Sequence, residues 1–200
     1  GTRLSEETVR KPKPMVEIAG MPILLHIMKF YSAFGHKEFV IALGYKGEVI
    51  KDFFVNYYLR SKGLSVALNS GEILTHSLGN NADSEDWIVH LIDTGLETQT
   101  GGRVKQVIDF IGNERFMLTY GDGLANVDFN RLLHFHKEKG RLATVTAVRP
   151  PARFGEILFI NDDVTSFHEK SQTGEGWING GFFVLEPGVS QYIEGNDTVF

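Results

Sequence analysis

The chain has 200 residues, of which 42% are hydrophobic and 22% are charged, proportions typical of a globular domain with a full-sized core. Its formal net charge of −5 argues against a nucleic-acid partner or an anionic membrane surface, since both need a basic stripe. It has no cysteine, which excludes thiolate catalysis and cysteine-ligated zinc, and no apolar run of membrane-spanning length, so we expect a cytoplasmic protein.

The first third of the chain alternates between helical and strand patterns. Residues 21–34 predict a largely buried helix, with a proline in its first turn and Gly35 after its end. Residues 37–43 form an apolar run of strand length. Residues 46–59 predict one helix whose aliphatic and aromatic side chains share a face, so we expect the aromatic rings to belong to the core.

The alternation continues through the middle of the chain. Residues 64–69 predict a strand, and the polar interval 70–86 is interpreted as a surface loop. Residues 87–93 predict a strand and residues 102–111 a helix. The apolar run 115–120 is typical of a strand buried on both faces of a parallel sheet.

A capped helix and several short strands complete the pattern. Asp128 is suited to cap the next helix, whose basic last turn ends before Gly140. Strands are then predicted at 142–148, 155–160, 164–169 and 177–185. The alternation predicts a single three-layer α/β domain over residues 1–200 with a mainly parallel, mixed central sheet. Its first part, about 1–148, alternates strands and helices, and its second part, about 149–200, is a subregion of short strands inserted into or beside the same sheet.

Two of the cationic residues in the first fourteen positions, Arg3 and Lys13, are candidates for phosphate binding. Gly1 allows close backbone approach to a ligand beside Thr2, Arg3 offers a fork of donors suited to phosphate, and Lys13 is held between two prolines. A polyphosphate would suit such a loop. A solvated extended linker is the alternative for Lys-Pro-Lys-Pro by itself.

A carboxylate follows the buried strand at 115–120. Ligands collect at the carboxyl ends of strands in open α/β sheets, so Asp122, flanked by Gly121 and Gly123, is placed to hold Mg²⁺ against phosphate oxygens. An ordinary Asp-Gly turn is the alternative.

Two other segments carry weaker signals. Thr98-Gln99-Thr100-Gly101-Gly102-Arg103 precedes a helix, where backbone N–H groups can bind an anion or a base edge, although such loops are common. Glu169-Lys170 and Asn179-Gly180 supply groups that hydrogen-bond hydroxyls or phosphate, although Glu169-Lys170 by itself fits an exposed ion pair.

Together, Gly1-Thr2-Arg3-Leu4, Thr8 and Lys11-Pro12-Lys13-Pro14 resemble the signature of the sugar-1-phosphate nucleotidyltransferases. Leu4-Ser5-Glu6-Glu7-Thr8 lacks that family's usual proline and resembles the glucose-1-phosphate cytidylyltransferase branch. The signature normally begins with an earlier strand and a Gly-Gly pair, and the family's second magnesium aspartate lies beyond Phe200. We therefore expect a fragment that lacks the N-terminal strand and the C-terminal part, and that is destabilised and nearly inactive by itself.

The resemblance implies a Rossmann-like fold and transfer of a cytidylyl group from CTP to α-D-glucose 1-phosphate, with Mg²⁺ as cofactor. The products would be CDP-glucose, which feeds surface-polysaccharide synthesis in bacteria of this branch, and pyrophosphate. The full-length enzyme is expected to be a homo-oligomer. Thymidylyl or uridylyl transfer, or ligand binding without turnover, remain as alternatives.

The resemblance also assigns residues to roles. It makes Arg3 and Lys13 catalytic and Asp122 the metal ligand. The implied nucleotide-binding residues are Gly1, Thr2, Arg3, Lys13, Thr98, Thr100, Gly101, Arg103 and Gly121. The implied sugar-phosphate-binding residues are Gly155, Glu169, Lys170, Asn179 and Gly180. Ser171 replaces the proline that usually follows Glu-Lys in the family, so the turn after Lys170 is less constrained.

Overall fold

The computed structural model describes residues 11–60, 62–76, 85–149, 156–160, 163–168 and 177–200. The chain divides into two compact units. The first contains the described part of Gly1–Glu114 with Gly121–Leu124 and Pro187–Phe200, and the second contains Arg115–Tyr120 with the described part of Ala125–Glu186. Each unit has its own strands and at least one helix.

The first unit is built on a pair of parallel strands with helices beside it. Its elements in chain order are β1 (Glu17–Ile18), β2 (Met21–Pro22), α1 (Ile23–Ser32), β3 (Glu38–Leu43), α2 (Gly47–Val55), α3 (Tyr57–Arg60), β4 (Gly63–Ala67), β5 (Glu72–His76), β6 (Ile88–Asp93) and α4 (Thr100–Ile111). Strands β3 and β6 pair in parallel from Glu38 opposite Ile88 to Leu43 opposite Asp93. Their carboxyl ends therefore lie at the same edge.

The core of the first unit lies between α1, α2 and the parallel pair. Its buried members are Met15, Leu24, Leu25, Met28, Leu43 and Ile50. The aromatic residues Phe53, Phe54 and Tyr57 pack against this cluster, as predicted for the apolar face of 46–59. Tyr58, predicted on the same face, is instead 56% exposed. Helix α1 ends before Gly35, whose φ of 88° is in the region that favours glycine.

Two details of the predicted elements are wrong. The helix predicted at 46–59 is interrupted at Asn56, whose side-chain amide donates to the carbonyl of Asp52 at 2.9 Å and so competes with the helical backbone. The interval predicted as a loop from residue 70 contains β5, which forms an antiparallel hairpin with β4. The hairpin turn ends at Gly71, with φ 75°.

The second unit contains an antiparallel sheet and one helix. Its elements are β7 (Phe116–Thr119), α5 (Phe129–Lys139), β8 (Ala143–Val148), β9 (Glu156–Ile160), β10 (Asp163–His168) and β11 (Ile178–Leu185). Strand β11 lies between β7 and β8 and pairs antiparallel with both, and β9 and β10 form a separate hairpin.

The capping prediction for α5 is confirmed. The side chain of Asp128 accepts a hydrogen bond from the backbone N–H of Arg131 at 3.0 Å, and the helix ends at Gly140 in the left-handed conformation. The core of this unit joins α5 to β11, where the rings of Phe129 and Phe182 lie 5.9 Å apart. His136 is also fully buried and contacts Thr144 and Glu186.

The elements agree with the predicted α/β class, and the pairing is mixed. Among the described strands, β3 and β6 pair in parallel and the other pairs are antiparallel. Strand β7 is half-buried at all four positions, whereas the sequence predicted burial on both faces. Within the described ranges, every helix is too short or too polar to cross a membrane.

Candidate functional site

The Lys-Pro-Lys-Pro segment forms a short turn fixed to the core. Residues Lys13–Met15 form one turn of 3₁₀ helix, in which the N–H of Met15 donates to the carbonyl of Pro12 at 2.8 Å. Met15 is 5% exposed and belongs to the core, which anchors the turn. The side chain of Lys13 is 67% exposed, so its ammonium group extends into solvent from a fixed backbone.

The structure brings this turn together with the Gly-Asp-Gly segment. The Nζ atom of Lys13 lies 3.9 Å from an Oδ atom of Asp122. Beside them, a Cβ atom on Gly121 would lie 2.9 Å from the Cγ atom of Pro14. Glycine is therefore required at position 121 for the two segments to approach, and a basic group and an acidic group lie at one place.

The contact between Lys13 and Asp122 is an open one. Its length exceeds that of a hydrogen bond, and both side chains are about half exposed or more. Ion pairs of this kind contribute little to stability. Both groups are thus accessible to a ligand that carries phosphate.

Asp122 fits the chemistry of a Mg²⁺ ligand. Magnesium is commonly held by one or two carboxylates, with the other positions taken by water and substrate phosphates. Over the described ranges, no group of three or more histidine, aspartate or glutamate side chains forms a metal-binding cluster. A carboxylate beside a lysine fits a metal that arrives with a phosphorylated substrate.

A cavity of about 450 Å³ lies against the same turn. Its walls are Pro12, Lys13, Pro14 and Tyr45. Tyr45 follows directly on Gly44 at the carboxyl end of β3, where ligands bind in open α/β sheets. The sequence interpretation passed over Tyr45, although its position after a strand end could have identified it.

Arg103, which the sequence assigns to the nucleotide, has intramolecular partners. Its Nη1 atom donates to the carbonyl of Leu43 at 2.9 Å and to the hydroxyl of Thr94 at 2.6 Å, and its Nη2 atom donates to the carbonyl of Leu96 at 3.2 Å. The guanidinium group therefore ties the carboxyl end of β3 to the loop after β6. In this structure the guanidinium group of Arg103 fixes the backbone at the carboxyl ends of β3 and β6.

The start of α4 is occupied by a segment from the end of the chain. The N–H of Gln99 donates to the carbonyl of Asn196 at 2.7 Å, and the N–H of Gly101 donates to the carbonyl of Thr198 at 2.8 Å. The hydroxyl of Thr100 accepts from the N–H of Phe200 at 2.8 Å. The N–H group of Gly101, predicted to contact a base, is thus paired with the chain itself.

Thr98 is 9% exposed, so its side chain is buried where the sequence predicted a contact with the nucleotide. The neighbouring Thr94 hydroxyl donates to the carbonyl of Leu43 at 2.8 Å. These two threonines belong to the packed loop that joins β6 to α4.

The sugar-site residues that the structure describes belong to the second unit. The side-chain oxygen of Asn179 accepts from the N–H of Gly181 at 2.8 Å, and its amide donates to the hydroxyl of Tyr120 at 3.2 Å. A Cβ atom on Gly180 would lie 2.9 Å from the carbonyl oxygen of Thr146 on β8, so glycine is required there for strand packing. Asn179 itself is exposed.

Other predicted site residues lie outside the described residues. They are Gly1, Thr2, Arg3, Gly155, Glu169 and Lys170.

Comparison with known proteins gives the family. The family described as nucleotidyl transferase matches residues 1–198. The glucose-1-phosphate cytidylyltransferase of Salmonella typhimurium is 47% identical over 201 residues, which cover 100% of this chain and 77% of that protein. A probable glucose-1-phosphate cytidylyltransferase of Bacillus subtilis is 44% identical over 193 residues, which cover 96% of this chain and 74% of that protein.

A solved structure supports the fold. The crystal structure of HddC from Yersinia pseudotuberculosis aligns with a TM-score of 0.65 at 22% identity, covering 95% of this chain and 74% of that one. The predicted Rossmann-like α/β fold is therefore confirmed. With a family match over nearly its whole length and two relatives above 40% identity, the chain belongs to the nucleotidyltransferase family.

Proposed function

We propose that the protein transfers a cytidylyl group from CTP to α-D-glucose 1-phosphate and forms CDP-glucose and pyrophosphate. The observation that carries this proposal is the 47% identity to a glucose-1-phosphate cytidylyltransferase over the whole chain. The open contact between Lys13 and Asp122 supports it, because the two groups suit a phosphate and a metal that arrives with phosphate.

The reaction is an in-line displacement at the α-phosphorus of CTP. An oxygen of the sugar phosphate attacks this phosphorus, the bond to the bridging oxygen of the β-phosphate breaks, and pyrophosphate leaves with the bonding electrons. No covalent intermediate with the protein is needed, so catalysis rests on positioning and charge neutralisation. Lys13 supplies both, because the buried Met15 fixes its backbone while its ammonium group is exposed.

Lys13 binds oxygens of the α-phosphate and of the sugar phosphate, and so brings two anions together that would otherwise repel each other. Arg3, predicted from the sequence, would neutralise the triphosphate and the departing pyrophosphate. A preorganised cation of this kind acts mainly where charge develops in the transition state.

Asp122 is the described residue that would hold Mg²⁺. When bound, the ion would neutralise charge on the phosphate oxygens and orient them for displacement. Because Lys13 lies 3.9 Å from Asp122, beyond hydrogen-bond distance, the carboxylate would be available to a metal while Lys13 binds phosphate.

The other assignments stay predictions within this proposal. Gly121 would let the nucleotide approach, Thr98, Thr100, Gly101 and Arg103 would form or position its base site, and Asn179 and Gly180 would contact the sugar phosphate. A cytoplasmic location and a homo-oligomeric assembly are likewise predictions, which cell fractionation and light scattering would test.

A nucleotide panel tests the proposal. The protein, expressed from its complete reading frame, is incubated with glucose 1-phosphate, Mg²⁺ and one of CTP, UTP, dTTP or GTP, and pyrophosphate release is followed. The proposal predicts a kcat/KM for CTP at least about tenfold above that for each other nucleotide. Preference for UTP or dTTP would replace the proposal by one of the alternatives. Binding of CTP without release of pyrophosphate would favour a ligand-binding protein.

A further inference from the structure

Tyr45 lies at a point where a substrate-binding residue is expected, although the sequence patterns assign it no role. It directly follows the carboxyl end of β3, and 58% of its surface is exposed. Its ring forms one wall of the cavity of about 450 Å³ whose other walls are Pro12, Lys13 and Pro14. Several aromatic side chains of this unit, by contrast, pack against its core: Phe39, Phe53, Phe54, Tyr57 and Trp87.

The turn that carries Tyr45 is held from both sides. The N–H of Gly47 donates to the carbonyl of Gly44 at 3.0 Å, which closes the turn. Arg103 binds the carbonyl of Leu43 and covers Gly44 so closely that a Cβ atom there would clash with the guanidinium group. Tyr45 therefore lies on a braced turn between the Lys13 segment and the Arg103 segment, both of which the sequence connects with the nucleotide.

The residue after Tyr45 has an unusual backbone conformation. Lys46 has a φ of 54°, in the left-handed region that non-glycine residues rarely adopt. Its Nζ atom lies over the ring of Tyr45, 5.3 Å from the ring centroid. Strained positions of this kind concentrate at functional sites, and here the strained residue adjoins the cavity wall.

We propose that Tyr45 is a further nucleotide-binding residue, whose ring packs against the nucleoside part of the CTP that Lys13 binds by its phosphates. This inference rests on the proposed function. The aromatic ring and the two proline rings that line the cavity provide apolar surface, which suits a base or a ribose better than a phosphate. The volume lies within the range of ligand pockets, about 300–1,000 Å³.

The chain offers a matched control. Tyr58 in α3 is 56% exposed, and the Nζ atom of Lys62 lies 5.4 Å from its ring centroid, so its exposure and its cation–π contact match those of Tyr45. It does not line the cavity. Calorimetry measures the Kd of CTP with Mg²⁺ and, separately, the Kd of glucose 1-phosphate. The proteins compared are the wild type, Tyr45→Ala, Tyr45→Phe and Tyr58→Ala.

The expected result is a selective loss. Tyr45→Ala should weaken CTP binding by roughly 5- to 150-fold, the range for removing a ring that stacks on a base. Tyr45→Phe should stay within about threefold of the wild type, because the ring is kept. Tyr58→Ala should bind CTP like the wild type, and no variant should change the Kd of glucose 1-phosphate. Melting curves that match the wild type show that the variants fold.

Three outcomes would overturn the inference. Unchanged CTP binding by Tyr45→Ala would remove Tyr45 from the nucleotide site while leaving the proposed function intact. A loss confined to glucose 1-phosphate would place the ring against the sugar instead. Failure of the wild type to bind CTP would end the proposed function and this inference together.

Discussion

Gly102 in the first turn of α4 should resist replacement by alanine, although alanine is normally the better helix former. A Cβ atom at this position would lie 2.6 Å from the Cα atom and 2.7 Å from the carbonyl oxygen of Asn196. These are backbone atoms, so they cannot move aside as the end of a flexible side chain can. Gly102→Ala therefore has to displace the segment that contains Asn196.

The hydrogen bonds of that segment set the size of the effect. Asn196 accepts from the N–H of Gln99 at 2.7 Å and from the side chain of Gln106 at 3.0 Å, and Thr198 accepts from the N–H of Gly101 at 2.8 Å. Each is worth about 1 kcal/mol net. Alanine in place of glycine returns at most about 1 kcal/mol of helix propensity. We expect Gly102→Ala to lower the free energy of unfolding by about 2 kcal/mol, or the Tm by about 4–8 °C.

Thermal and urea denaturation of the protein from its complete reading frame would measure this effect. Gly195→Ala is the matched control, because Gly195 lies in the same segment and a Cβ atom there would meet no atom within 4 Å. We expect the control to lie within about 0.5 kcal/mol of the wild type. If Gly102→Ala were as stable as the wild type or more so, the packing of residues 196–198 against α4 would be refuted.

Three other variants test the site and the second unit. Asp122→Asn should abolish turnover with an unchanged melting curve, since it removes a metal carboxylate, and near-normal activity at saturating Mg²⁺ would disprove the ligand role. Lys13→Ala should lower kcat/KM roughly 30- to 1,000-fold, because losing the phosphate contact raises the activation free energy by about 2–4 kcal/mol. An unchanged rate would make Lys13 part of a linker. Burial raises the pKa of the Glu186 carboxyl, but hydrogen bonds from Arg115 and His136 outweigh burial and hold the pKa below its usual value. Since the folded state favours the charged form of Glu186, its stabilisation is present above about pH 4.5 and is lost as the pH falls through the pKa of Glu186 in the folded protein. The stability deficit of Glu186→Gln should therefore shrink in acid. An equal deficit at pH 7 and in acid, by urea denaturation, would contradict the assignment.

Local signals in the sequence predicted much of the fold. The glycine after α1 and the capping Asp128 mark helix ends through backbone chemistry that acts within a few residues. The rule that ligand-binding residues gather at strand ends singled out Asp122, which the structure places 3.9 Å from Lys13.

Features set by distant contacts could not be predicted in the same way. Strand β5 has exposed side chains throughout and a polar surrounding sequence, so its pairing with β4 leaves no periodic pattern. The three hydrogen bonds of Arg103 join residues up to 60 positions apart. The position of Tyr45 after a strand end is visible in the sequence, but its place in the cavity wall depends on the distant turn at Lys13.

The identity of the product tests the central claim most directly. The protein, expressed from its complete reading frame, is incubated with CTP, Mg²⁺ and glucose 1-phosphate whose non-bridging phosphate oxygens are ¹⁸O. The masses of the products are then measured by mass spectrometry. In-line attack on the α-phosphorus of CTP predicts CDP-glucose that retains every labelled oxygen, with an equal amount of unlabelled pyrophosphate. Absence of CDP-glucose, or label in the pyrophosphate, would contradict the account.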